Sequence, residues 1–187
     1  MTLQLFVLLL IGSVLAAYGG IALATWFRLR GTRVVTCPKT HKPAAVTVDL
    51  GHAAATAVLD TAELKLTTCS CWPERESCEQ ACVPQIVEAQ DETRARTIAA
   101  HFFEGARCAI CQTRIEPPNP ATLQPGLFDP ATQEVSAWDE VPAEQLQDMF
   151  KARRAICPNC TLAESFRRRF PDRVVDRIPR PGSVARQ

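Results

Sequence analysis

Histidine, tyrosine and glycine are scarce in this chain: three, one and eight residues respectively among 187. So few and so scattered imidazoles argue against a histidine-built hydrolytic metal site, and no HExxH segment is present to hold one. There is also no GxSxG elbow, no glycine-rich loop to cradle a phosphate, and no CxxCH for covalent haem. His52, beside Gly51 at an expected turn, and His101, within an expected helix, read as surface or structurally satisfied histidines. Charge is missing from Leu3 to Phe27, where only Gln4, Ser13 and Thr25 are markedly polar. That absence argues for a membrane. What the chain has in quantity is cysteine, nine residues in all.

The uncharged stretch is long enough to cross a hydrocarbon layer of roughly 30 Å at about 1.5 Å rise per residue. A cleaved signal peptide has a basic start and a shorter apolar region, and this chain has neither, although Ala22-Leu23-Ala24 resembles a cleavage site. No Lys or Arg precedes the span, while Arg28, Arg30 and Arg33 follow it. The positive side is therefore C-terminal, which predicts an inner (cytoplasmic) membrane protein with its N-terminus outside and its soluble body in the cytoplasm. Gly12, Ala16, Gly20 and Ala24 recur every four residues, a small-residue stripe on which a second transmembrane helix or a second copy could pack closely.

Charge in the remainder is segregated. Residues 28–42 carry five basic and no acidic side chains, residues 43–149 six basic against seventeen acidic, and residues 151–187 ten basic against three acidic. The first block suits anionic lipid headgroups beside the anchor. The last, with Arg167-Arg168-Arg169 and then Arg173, Arg177 and Arg180, suits phosphates, lipid or the chain's own acidic middle. The acidic middle disfavours nucleic acid as a partner.

Hydrophobic periodicity predicts an α+β fold, a single transmembrane helix followed by small mixed modules, which the cysteine spacing described below makes similar to zinc ribbons. Val34-Val35, the alternating run Ala44 to Leu50 and Leu64-x-Leu66 read as strands, with a short helix or turn from Ala53 to Leu59. Glu79 to Glu88 and Asp91 to Glu104 read as helices, the second capped by Gly105. A proline-rich loop from Glu116 to Pro130 leads to a hairpin of Leu127-Phe128 and Val135 to Trp138. Pro142 opens another helix, with Leu146, Met149 and Phe150 turned inward, and a last helix runs from near Cys160 to about Phe170. Trp72 and Trp138 read as core anchors. The expected organisation is an anchor (1–27), an N-terminal α+β cysteine module (28–104), a CxxC/CxxC module (105–170) and a flexible basic tail (171–187). No internal sequence repeat is evident.

In a reducing cytosol structural disulfides are rare, so spaced cysteines there read as metal ligands or redox thiols. Cys108-Ala-Ile-Cys111 and Cys157-Pro-Asn-Cys160 put two sulfur pairs on tight turns that together can close a tetrahedral all-sulfur site. Over residues 105–165 this resembles the paired knuckles of zinc ribbons. Four thiolates also suit iron or an iron–sulfur cluster, but the glycine usual after the second cysteine of an iron knuckle is replaced by Gln112 and Thr161. A dithiol redox role for Cys157 and Cys160 needs a strand leading into the motif, where a basic helix, Lys151 to Arg154, is expected instead. Cys37, Cys69, Cys78 and Cys82 form the expected second zinc tetrad. Cys78 and Cys82 would then share one face of a helix start, while Cys71 is left over and Cys71 or His41 is a possible substitute ligand.

The segments Cys37-Pro-Lys-Thr-His-Lys-Pro-Ala-Ala-Val and Cys69-Ser-Cys-Trp-Pro-Glu-Arg resemble those of an uncharacterised family of short bacterial, membrane-anchored, cysteine-rich proteins. Trp138-Asp-Glu-Val-Pro142 and Cys157-Pro-Asn-Cys160 fit the same resemblance. It implies an N-terminal anchor and later CxxC pairs, no particular activity, and a residue other than cysteine at position 71. Two four-thiolate zinc sites would leave no open coordination position for catalysis. The expected protein is thus a non-catalytic accessory or adaptor subunit of a membrane complex. An iron-bearing electron carrier at the membrane is the alternative, and a tethered regulator that binds nucleic acid the third.

Overall fold

A computed structural model describes residues 2–72 and 78–173. The chain begins with α1 (Thr2–Leu29), a helix unbroken by proline and uncharged until Arg28. Among the described residues it is the one helix long and apolar enough to cross a membrane. Most of its surface is exposed, but Ala22 and Thr25 are half-buried and Leu29 is fully buried.

What covers those three residues is α2 (Leu50–Leu59), which packs along the last turns of α1. Asp49 starts α2 as its N-cap, its carboxylate accepting the His52 backbone N–H at 2.9 Å. Gly51 and His52 therefore lie in the first helical turn, where the sequence suggested a turn outside the helix. Ala53 faces the protein interior with no exposed surface.

An antiparallel sheet is formed by β1 (Arg33–Thr36), β2 (Pro43–Val48) and β3 (Leu66–Cys69), with β2 in the middle. Strand β2 alternates as expected for period 2: Ala44, Val46 and Val48 are buried, and the residues between them are half-buried. Strand β1 feeds two cores. Val35 joins Leu29, Val46, Ala53, Leu66 and Ile86, whereas Val34, on the opposite face, joins the C-terminal core. The outer edge of β1 is covered by residues 93–95, through Val34 N–H to the Thr93 carbonyl at 2.7 Å and Ala95 N–H to the Thr32 carbonyl at 3.1 Å. This blunts a strand edge that would otherwise be open to pairing.

The C-terminal core is built on a second antiparallel sheet with β4 (Gly126–Phe128) between β5 (Val135–Ala137) and β6 (Arg154–Ile156). Before it come α3 (Val83–Glu88) and α4 (Ala95–Phe103), and around it α5 (Leu146–Ala152) and α6 (Pro158–Arg169). Ala99, Phe103, Leu127, Leu146 and Ile156 are buried in this core, and Phe102 stacks on Phe150 with centroids 4.2 Å apart. Gly105, at φ 70°, ends α4 in the left-handed conformation that glycine adopts without strain. The fold is thus mixed α+β, with one long apolar helix and two small sheets among the described residues.

Arg33 is fully buried at the junction of α1 and the body. Its guanidinium donates to the Gln90 carbonyl, to the Thr93 hydroxyl at 3.0 Å and to the Arg28 carbonyl at 2.9 Å. Arg94 donates to the same Arg28 carbonyl. That carbonyl is one of the acceptors a helix C-terminus leaves unsatisfied, so two arginines cap α1 from the body. Burial, and then the charge of Arg94, lower the Arg33 pKa. The end of α1 is therefore clamped to the folded body and not joined to it by a loose linker. Residues 174–187, which make up most of the expected basic tail, lie outside the described residues.

Candidate metal centre

Each thiol of the C-terminal set is delivered by a defined local structure. Cys108 and Cys111 sit on a tight turn whose flanks, Arg107 and Arg114, form an antiparallel bridge. Within the turn the Cys108 N–H donates to the Thr113 carbonyl at 2.9 Å, and the Gln112 N–H to the Cys108 carbonyl at 2.9 Å. Gln112 adopts φ 64° to close the turn. Across from it, β6 runs directly into Cys157, the N-cap residue of α6, with Pro158 in the first helical turn and Cys160 further along that turn. The Ala109 N–H donates to the Ala155 carbonyl at 2.9 Å, tying the turn to β6.

The result is a four-sulfur cluster. The ligand atoms of Cys108, Cys111, Cys157 and Cys160 all lie within 4.8 Å of one another, and the Cys111 and Cys157 sulfurs are 3.6 Å apart. A tetrahedral ion with metal–sulfur bonds near 2.3 Å places its sulfurs about 3.8 Å apart. The geometry is therefore that of a site able to hold a metal ion. Cys108 and Cys157 are buried, Cys160 is half-buried and Cys111 is exposed at the rim.

The four thiols are not equivalent. The hydroxyl and backbone N–H of Thr113 beside the Cys111 sulfur hold its pKa down at about 6. Burial pushes Cys157 and Cys160 up, Cys160 strongly so. A bound cation reverses that burial effect, because coordination stabilises the thiolate form. Cys111 is thus the ready ligand, and Cys157 and Cys160 would be held as thiolates by a bound ion.

The approach to Cys157 differs from the expected one. Helix α5 ends at Ala152, and a strand, not a basic helix, leads into the motif. Tertiary contacts hold the segment extended: Arg153 donates to the Ser136 hydroxyl at 3.0 Å and lies 3.7 Å from the Glu134 carboxylate. The strand–CxxC–helix order that a dithiol enzyme uses is therefore present. Strand β6, however, pairs antiparallel with β4, outside any βαβ unit, and the Cys111 sulfur lies against that of Cys157.

The N-terminal cysteines come together around one small cavity of about 20 Å³, whose lining includes Cys37, Cys69, Cys71, Cys78 and Cys82. Cys71, set aside in the sequence reading, is among them. Cys78 does not share a helix face with Cys82: residues 78–80 are irregular, Gln80 adopts φ 55°, and α3 begins only after its N-cap residue Cys82. Among the described residues these thiols do not close to the mutual 4.8 Å of the C-terminal set. The Thr40 hydroxyl, then the N–H groups of Thr40 and Lys39, hold the Cys37 thiol down at about 7. His41 closes the β1–β2 turn at φ 54°. His52 is occupied elsewhere, pairing with Glu63 at 3.1 Å.

Set against known proteins, this chain matches no family model, no curated protein and no solved structure.

Proposed function

We propose that this protein is a membrane-anchored zinc protein whose C-terminal centre is structural, and that it acts as a non-catalytic accessory or adaptor subunit of a membrane complex. The observation that carries the reading is the gathering of four cysteine sulfurs on two tight turns. Zinc is the metal such a set suits without a redox role, and four thiolates leave it no open position for water. In a body this small, the ion would link α6, β6 and the 108–113 turn more firmly than apolar burial alone.

Retention of α1 as an anchor is supported by its packing. Cleavage after Ala24 would remove Ala22, which α2 partly covers, and would leave the α1–α2 contact incomplete. Arg28 and Arg30 are exposed at the end of the span, with Arg30 lying over the Phe27 ring at 4.7 Å, and they favour an inner-membrane orientation with the body in the cytoplasm. The Gly12–Ala24 stripe is exposed along its length, and Ala22, which faces α2, lies about 160° round the helix from Ala24. The stripe is therefore free to meet a membrane partner or a second copy while α2 stays in place.

The test is to purify the full chain from bacterial membranes in detergent and measure its metal content and visible spectrum. Zinc with no colour is expected, followed by cross-linking to a membrane partner through the α1 stripe. Iron with a charge-transfer band would overturn the structural reading and make the protein an electron-transfer subunit.

A further inference from the structure

The turn that carries Cys37 repeats the turn that carries Cys108 and Cys111. In residues 37–42 the Cys37 N–H donates to the Lys42 carbonyl at 2.9 Å and the His41 N–H to the Cys37 carbonyl at 2.8 Å. In residues 108–113 the bonds from Cys108 to Thr113 and from Gln112 to Cys108 have the same spacing and are both 2.9 Å. The fifth residue of each turn has positive φ, 54° at His41 and 64° at Gln112. Antiparallel partners flank each turn: Thr36 opposite Pro43 in one, Arg107 opposite Arg114 in the other. The side chains after the first cysteine differ throughout, and the difference that matters for a ligand is at the fourth residue. Cys111 supplies a thiol there, whereas Thr40 supplies a hydroxyl that hydrogen-bonds the Cys37 sulfur.

The likeness extends to the opposing ligand. Cys157 is the N-cap of α6 with proline in the first turn, and Cys82 is the N-cap of α3 with proline in the first turn. A further thiol comes from Cys69, at the end of β3 opposite Val46, and it accepts the Cys71 N–H at 3.5 Å. Cys69 thus ends β3, Cys37 directly follows β1 and Cys82 directly precedes α3, all three around a cavity whose volume is close to that of a single bound water or ion. Two more, Cys71 and Cys78, line the same cavity from outside any helix or strand.

We infer that this cavity is a second metal centre, in which Cys37, Cys69 and Cys82 bind one zinc-class ion and Cys71 and Cys78 are interchangeable fourth ligands. Binding replaces the protons of four thiols by one divalent ion and draws the sulfurs inward, while the fifth thiol stays protonated. The redundancy follows from the missing second cysteine of the turn: with Thr40 in that place, the fourth ligand comes from a loop, where two candidates are in reach. The inference stands apart from the identity of the metal in the C-terminal centre.

The test is zinc content per full-length chain, purified in detergent under reducing conditions. Wild type is expected to hold about two zinc, and C37S or C82S about one. C71S and C78S singly are expected to keep about two, and C71S/C78S about one. Because Cys71 and Cys78 lie outside any helix or strand and are only half-buried, the double variant folds even if C37S does not, and retention of the C-terminal zinc confirms it. A wild-type chain whose zinc falls with C111S/C160S but never with the N-terminal variants overturns the second centre and leaves the first intact. Loss of one zinc in C71S or C78S alone overturns the shared fourth position.

Discussion

Gly126→Ala is the substitution that best links sheet packing to the metal centre. Gly126 lies in the middle strand β4, opposite Ala137 on one side and Ile156 on the other. A Cβ there would stand 2.5 Å from the Thr161 hydroxyl oxygen, 2.9 Å from the Thr161 methyl carbon and 3.0 Å from the Ser136 carbonyl oxygen. Ordinary contact is about 3.5 Å, so α6 has to move by about 1 Å or the strand has to bend. Thr161 follows Cys160 directly, is buried, and donates its hydroxyl to the Cys157 carbonyl at 3.0 Å. A push on Thr161 is therefore a push on two metal ligands. Overpacking of this kind costs about 1–3 kcal/mol. For a chain of this size that is a loss of about 3–10 °C in melting temperature. If half of it falls on the centre, zinc affinity drops by about two- to tenfold. Chelator competition and a thermal scan on the detergent-solubilised chain read both effects. The double variant G126A/T161A removes two of the three close atoms and should recover most of the loss. Wild-type zinc affinity and melting temperature in G126A would refute the claim that β4 sets the position of α6.

Arg33→Met should destabilise the body by about 1–3 kcal/mol, since it strips three hydrogen bonds from a buried site, leaving Arg94 as the side-chain donor to the Arg28 carbonyl and the Thr93 hydroxyl as that to the Gln90 carbonyl. Arg33→Lys should recover little of this, because one ammonium cannot replace the guanidinium fork, and limited proteolysis at the α1 junction measures both. In the metal-stripped chain Cys111 should alkylate first, and already near pH 6, because it is exposed and its thiol is held low by Thr113. As pH rises through that value its rate should climb, while Cys157 and Cys160 lag; zinc should protect all four, and mass spectrometry of the labelled peptides reads the order.

The C-terminal centre is legible in the sequence because CxxC spacing is a local signal: two sulfurs on one turn need no knowledge of the rest of the chain. Strand β2 and helix α6 were legible for a similar reason, from alternation at Ala44 to Val48 and from the stop at Pro171. The features that were not legible depend on contacts distant in sequence. Arg33 looks like one more basic residue beside a membrane span, until Gln90, Thr93 and Arg28 surround it. Strand β6 reads as a continuation of a basic helix until Arg153 finds Glu134 and Ser136. The likeness of the 37–42 and 108–113 turns lies in backbone hydrogen bonds and in φ at His41 and Gln112, and their side chains give no sign of it. Cys71 was set aside on resemblance, whereas the cavity places it with the other four thiols.

X-ray absorption at the zinc edge of the full-length chain, with Cys71 and Cys78 changed to serine to isolate the C-terminal centre, tests the central claim most directly. Four sulfur neighbours at about 2.3 Å and no nitrogen or oxygen shell are expected. A shell with fewer than four sulfurs, or a chain that carries no zinc at all, would contradict it.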